Sequence, residues 1–391
     1  MAPGTWREVL GAFLRLGLTS FGGPIAHLAY FREEFVVRRR WLDEEAYADL
    51  VSLCQFLPGP ASSQVGIALG YRRARLPGAL SAWIGFTLPS ALLMTVFALG
   101  FVRFGVTQAG WLVGLKVFAV AIVAQAVWGM ARVLCPDSAR RAIAIAVAGV
   151  LLVVPWPQAQ LAAMALAGIV GWLVLGALPP SSKPTLQSPV PRRLAVFALS
   201  LFALLLVGLP AVARTLQSDV LEVFSVFYRA GALVFGGGHV VLPLLQAQVV
   251  PPGWIDNDTF LAGYAAAQVV PGPLFTFAAF LGAVIPLPGG VVGAAVALLG
   301  IFAPAFLLVI GALPFWQGAL QRPALRSAIA GVNAGVVGVL LAALITPVAT
   351  TALGSIADGV LAVAALAVLI GARVPVWVVA LACALAGALL H

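Results

Sequence analysis

The sequence predicts an all-α polytopic membrane protein made of two inverted-topology repeats whose helices are broken by glycine and proline. Three observations predict it: too few polar residues to face water, a long series of apolar segments, and a motif order that occurs twice. Of 391 residues, 62% are hydrophobic and only 9% are charged, with a mean hydropathy of +1.08. A soluble domain carries roughly a quarter charged residues, so lipid has to be part of the solvent here. Most of the 41 glycines and 27 prolines sit inside apolar runs, where membrane helices tolerate them. The net charge of +9 is scattered between apolar segments. That pattern fits lipid head groups and topology and gives no reason to expect nucleic acid. Cys54, Cys135 and Cys383 are far apart in or beside apolar segments and are expected to be small buried hydrophobes. Residues 1–8 lack the layout of a signal peptide, so the first apolar stretch is expected to remain in the mature protein.

At about 20 residues per span, apolar segments lie near 9–31, 48–70, 76–103, 110–133, 140–155 and 158–178. A polar, proline-rich linker follows at 179–193. Seven more segments follow near 194–211, 220–245, 260–285, 288–315, 327–349, 355–371 and 374–390. The expected division is therefore a first repeat at 1–178, the linker, an extra connecting helix within 194–219, and a second repeat at 220–391.

The duplication is legible residue by residue. Phe13-Leu14-Arg15-Leu16-Gly17 followed by Phe21-Gly22-Gly23-Pro24 matches Phe227-Tyr228-Arg229-Ala230-Gly231 followed by Phe235-Gly236-Gly237-Gly238, at an offset of 214. Trp41-Leu42-Asp43 matches Trp254-Ile255-Asp256 at an offset of 213, as does Gln55-Phe56-Leu57-Pro58-Gly59-Pro60 with Gln268-Val269-Val270-Pro271-Gly272-Pro273. Gly85 and Pro89 match Gly300 and Pro304. The extra segment before the second copy makes the number of crossings odd, which inverts that copy. Inverted repeats are a common basis for two alternating gates around one central site.

Charge refines the topology. With every segment crossing and the N-terminus inside, inner loops hold thirteen Lys/Arg and outer loops six. Four of the six outer residues, Arg32, Arg38, Arg39 and Arg40, share one loop whose flanking segments are both broken. If those segments are re-entrant hairpins, the count becomes seventeen to two, in line with the positive-inside bias. The matching loop at 246–259 holds no Lys or Arg. Re-entrant or half-spanning broken helices are therefore expected.

Irregular backbone at membrane depth survives where it is buried or lines a polar cavity. A half-helix that starts at such a break points unpaired N–H groups and its positive dipole end into that space, which suits an anion. The candidate binding residues are therefore Phe21, Gly22, Gly23, Pro24, Pro58, Gly59, Pro60, Gly236, Gly237, Gly238, Pro271, Gly272 and Pro273. Arg15 and Arg229 sit six residues before each Phe-Gly-Gly break and could supply charge, although Arg15 could also snorkel to the head groups. Lys116 is another cation in an apolar segment, with Asn333 opposite it in the repeat. Gln55 and Gln268 could donate to an oxyanion or satisfy freed backbone groups. His27 and His239 follow the glycine breaks as candidates for a structural hydrogen bond or a proton relay. Asp43, Glu44, Glu45, Asp256 and Asp258 read as solvated helix starts capped by Asp, and Glu33 and Glu34 as a surface network with Arg38–Arg40. No catalytic triad, phosphate-binding glycine loop or metal-ligand cluster is present in the sequence. Neither an enzyme nor a cofactor nor an ATP-driven pump is expected.

At these residues the sequence resembles the chromate ion transporter family, in its long form with two homologous domains. The resemblance rests on Ser20-Phe21-Gly22-Gly23-Pro24, Trp41-Leu42, Leu57-Pro58-Gly59-Pro60, Phe235-Gly236-Gly237-Gly238 and Val270-Pro271-Gly272-Pro273, and covers nearly the whole chain. It implies chromate efflux driven by the proton motive force, with sulfate as the related dianion, in a bacterial inner membrane. Where the family often has an aromatic residue after its second glycine block, this chain has His239. The expected partners are chromate or sulfate, protons, the bilayer and a second copy of the chain. The expected mechanism places chromate near the bilayer midplane and rocks one repeat against the other. An anion channel, or a transporter of another tetrahedral oxyanion, is the alternative.

Overall fold

The structure, a computed structural model, describes residues 4–21, 23–104, 110–154, 159–176, 188–235, 241–316, 322–371 and 374–391. Among them the regular elements are all helical. The first repeat region holds α1 (Trp6–Thr19), α2 (Gly23–Arg32, continuing as a wider turn over Glu33–Arg38), α3 (Glu44–Phe56), α4 (Ala61–Phe104), α5 (Gly110–Leu134), α6 (Ser138–Val153) and α7 (Ala159–Val174). Next comes α8 (Arg192–Leu216), then α9 (Asp219–Leu233), α10 (Val241–Val249), α11 (Asn257–Val269), a short turn at Leu274–Thr276, α12 (Phe277–Val284) and α13 (Gly290–Ala312). The chain closes with α14 (Pro323–Ala343), α15 (Ile356–Gly371) and α16 (Val376–Leu390).

Local chemistry sets these boundaries. Thr5 caps α1 by accepting from the Glu8 N–H, and Ser218 caps α9 by accepting from Leu221. Asp43 and Asp256 do the same for α3 and α11, accepting from Ala46 and Thr259 at 2.8 Å each. The expected caps are thus present in both copies, each satisfying an orphan N–H of a helix start. The expected ion pairs form, with Arg38 meeting Glu33, Arg39 meeting Glu34 and Arg32 meeting Glu44, but Glu34 is buried and not at the surface. Trp41 is buried and stacks on Phe35, which stacks in turn on Phe13.

Among the described residues each of the four segments expected to be broken is interrupted. The segment expected at 9–31 is two helices, about 21 Å and about 15 Å long at 1.5 Å per residue, so neither arm spans a hydrocarbon core of about 30 Å. The segments at 48–70, 220–245 and 260–285 are interrupted in the same way, at 57–60, after Leu233 and at 270–273. α4 is bent at Ala74 and Arg75, whose backbone leaves the helical region. Among the described residues five helices are long and apolar enough to cross a membrane: Ala61–Arg103, Gly110–Leu134, Arg192–Leu216, Gly290–Phe315 and Pro323–Ala352. Their outer faces stay apolar; on α8, Phe197, Leu204 and Val207 are all more than 60% exposed. A multi-pass membrane protein accounts for this surface. All three cysteines are free and buried, as expected.

The chain folds into two compact units, and neither is a half of the sequence. Unit 1 is Met1–Phe104, Ser182–Val241 and Val270–Gly318; unit 2 is Gly105–Ser181, Leu242–Val269 and Ala319–His391. In unit 1, α1 lies along α4 while α9 lies along α13. Both contacts rest on equivalent glycines: a Cβ on Gly17 would come within 2.5 Å of the Gly85 carbonyl oxygen, and one on Gly231 within 2.1 Å of that of Ile301. In unit 2 the halves exchange partners. α5 packs on α15 and α16 of the second half, and α14 packs on α6 and α7 of the first. Small residues permit it: Gly110 and Gly114 face Gly387 and Cys383, and Gly331 faces Ala167 and Gly171. Such small-residue pairs replace the hydrophobic drive that lipid removes between helices.

Candidate functional site

The breaks of unit 1 are joined crosswise. The Gly59 N–H donates to the Val234 carbonyl at 2.6 Å, and the Gly272 N–H donates to the Ser20 carbonyl at 2.9 Å. Gly59 and Gly272 are repeat equivalents, and so are Ser20 and Val234. Each Pro-Gly-Pro turn therefore closes on the other copy's broken helix, leaving no orphan at either pair. Only glycine fits the turns. φ is +121° at Gly59 and +101° at Gly272, a region closed to residues with a Cβ. A Cβ would also lie 2.8 Å from Gln64 Nε2 at the first turn and 2.7 Å from Ser90 Oγ at the second.

Around this crossing the first copy buries many polar side chains. Ser20, Ser62, Ser63, Gln64, Thr87, Ser90 and His27 are each at most 3% exposed. Some are satisfied: Gln64 Nε2 donates to the Pro58 carbonyl at 2.7 Å, Ser90 donates to the Thr87 carbonyl, and His27 Nδ1 meets Ser62 Oγ at 3.4 Å. Ser20 Oγ, Ser63 Oγ, Thr87 Oγ1, Gln64 Oε1 and His27 Nε2 have no protein partner. A buried polar atom left alone costs about 1–3 kcal/mol. Five in one region are an unusual expense for a fold and an ordinary feature of a place meant for a polar ligand.

The structure gathers some of the sequence-predicted residues here and sets others apart. Pro58, Gly59, Pro60, Gly272 and Pro273 line the crossing, with Gly23 and Pro24 opening α2. Phe21 is 37% exposed beside it. Gly22 and the run Gly236, Gly237, Gly238 and His239 lie outside the described residues. Arg15 is exposed, off the face that α1 turns to α4, whereas Arg229 is half-buried. Gln55 is exposed. Gln268, in unit 2, hydrogen-bonds the fully buried Tyr264.

Unit 2 holds polar features that the motifs did not reveal. Lys116 Nζ donates to Asp258 Oδ1 at 3.0 Å, so its partner is an acidic residue read from sequence as a solvated helix start. A cavity of about 410 Å³ is lined by Gln160, Gln246, Asn257 and Thr346 among apolar residues of α6, α10 and α14. Gln246 Nε2 donates to Asn257 Oδ1, and Asn257 Nδ2 donates to Thr351 Oγ1 at 2.5 Å. No motif flags these amides; the available signal was three amides within or beside apolar segments.

The model of one family, described as "Chromate transporter", matches the chain twice, over residues 7–172 and 221–388. The chain belongs to the chromate transporter family. A chromate transport protein of Pseudomonas aeruginosa is 31% identical over 345 residues, covering 86% of this chain and 80% of its own length. One from Cupriavidus metallidurans is 28% identical over 87% of this chain and 82% of its own length. An uncharacterized transporter of Methanocaldococcus jannaschii is 24% identical over 86% and 82%. No solved structure matches the chain. Each of the two chromate transporter matches takes in one glycine break and one Pro-Gly-Pro turn, and α8 falls between them.

Proposed function

We propose that the chain is a secondary active transporter that exports chromate from the cytoplasm across a bacterial inner membrane, driven by the proton motive force. The observation that carries the reading is the crosswise pair of glycine hydrogen bonds, set among buried side chains whose polar atoms lack protein partners. Chromate as the cargo comes from the family and from the names of the bacterial relatives. Hydroxyl donors at Ser20, Ser63 and Thr87 would bind its oxygens, and Arg229, a half-buried cation of the same unit, would supply charge. His27, buried with Nε2 free, is the proposed carrier of the coupling proton.

We place the two repeats in opposite orientations and let access alternate, but not by rocking one sequence half against the other. In unit 1 that motion would break both crossing hydrogen bonds, and in unit 2 it would pull α14 away from α6 and α7. Packed glycine contacts of this kind yield as whole bodies rather than by stretching, so each moving part has to contain pieces of both halves.

Chromate uptake into inverted vesicles under an imposed pH gradient tests the reading, with sulfate, molybdate and phosphate as competitors. Uptake that follows the gradient and is competed most strongly by sulfate is expected. Gradient-independent flux running only down the chromate gradient would make the protein an anion channel instead.

A further inference from the structure

The cavity of unit 2 combines three features. It is lined by amide side chains and no charged residue. Two of those amides stand in the first turns of helices, Gln160 in α7 and Asn257 in α11. And two lining side chains, buried to at least nine-tenths, have a polar atom without a partner: Gln160 Nε2 and Gln246 Oε1. A helix start brings a positive dipole end to whatever lies before it, and at α11 Asp256 already takes the Thr259 N–H, which leaves the start of α7 as the one to count. Two buried amides without partners on residues that border one space mark it as a place for a hydrogen-bonding group once those side chains turn towards it.

The Gln246–Asn257–Thr351 chain can also reverse. If both amides turn over together, Thr351 donates to Asn257, Asn257 donates to Gln246, and neither hydrogen bond is lost. Gln246 then has its NH₂ without a partner in place of its carbonyl. With Gln160 Nε2 that gives two amide donors, one of them in the first turn of α7. A single desolvated cation would hold a dianion tightly; neutral donors hold it weakly enough to release, which a transported ion requires.

We propose that this cavity is an oxyanion-binding station separate from the glycine crossing, in which Gln160 and Gln246 bind a tetrahedral oxyanion through neutral donors. The proposal rests on the reading of the chain as an oxyanion transporter. Gln246→Glu keeps the side-chain shape and places a negative charge at the station. The full chain in proteoliposomes should show a chromate KM raised about tenfold or more at alkaline pH, the worth of one charge-assisted hydrogen bond. That KM should recover as acid neutralises the introduced carboxyl, a reversal that a packing defect would not produce. Gln160→Leu should raise KM by a similar factor at every pH. Equilibrium binding of radiolabelled sulfate and chromate to the purified full chain should weaken in parallel. Wild-type KM and binding in both variants, or a loss of turnover and thermal stability with KM unchanged, would overturn the station while leaving the transporter reading intact. If the wild-type chain moves no oxyanion, the functional reading fails; the binding assay then decides the station alone, with Gln246-sensitive binding upholding it and no binding overturning it. Should Gln246→Glu fail to fold, Gln160→Leu gives the same decision.

Discussion

The two copies of the broken region share a backbone and differ in chemistry. Each Pro-Gly-Pro turn hands its glycine N–H to the other copy, and each glycine has a φ in the left-handed region. The side chains around them diverge. Ser62-Ser63-Gln64 of the first copy correspond to Phe275-Thr276-Phe277 of the second, Thr87 to Phe302, Ser90 to Ala305, and Ser20 to Val234. Where Ser62 meets His27, its counterpart Phe275 meets Phe302, with ring centroids 5.9 Å apart. Thr276 has its hydrogen bond, to the Pro273 carbonyl, while Ser63 has none. The backbone crossing is common to both copies, while the side chains around it are polar in the first copy and mostly apolar in the second.

The largest effects should come from what the copies share. Gly59→Ala and Gly272→Ala each force a Cβ into a left-handed residue and a filled space, at a cost of about 1–3 kcal/mol for the backbone alone plus the clash. Both should lose transport and most of the thermal stability in detergent. If only one is sensitive, the crossing is not symmetric in energy as it is in geometry.

Next come changes that separate the copies. His27→Phe should leave chromate binding in place but abolish the dependence of uptake on an imposed pH gradient. Unchanged coupling would remove His27 from the proton path. Arg229→Gln should raise the chromate KM about tenfold, and Arg15→Gln by much less, because Arg15 is exposed and Arg229 half-buried. Equal effects would restore a symmetric role for the two arginines.

The sequence carried the apolar segments, the four breaks and the caps, because glycine, proline and aspartate act locally. It did not carry which break joins which. A repeat shows that Gly59 and Gly272 are equivalent, but equivalence is silent on whether each bonds within its own copy or to the other. The exchanged packing of unit 2 was hidden for a related reason: Gly114 and Cys383 look like ordinary small residues until their helices are placed side by side. Lys116 is equivalent to Asn333 in the repeat, but its partner is Asp258. The amides of the cavity come from distant segments and form no motif.

The smallest expected change in stability is also the most direct test, since it concerns the hydroxyls assigned to substrate. Ser63→Ala with Thr87→Val removes two buried hydroxyls that no protein group satisfies, so the fold should keep its melting temperature or gain from the change. Thr276→Val removes a satisfied hydroxyl of the second copy and should cost about 1 kcal/mol. Chromate uptake into proteoliposomes, measured beside the melting temperature, should show a raised KM for the first variant with stability intact, and an unchanged KM for the second with stability lowered. A first variant that transports like the wild type, or a second that loses affinity instead, would contradict the assignment of the first copy as the lining that meets the anion.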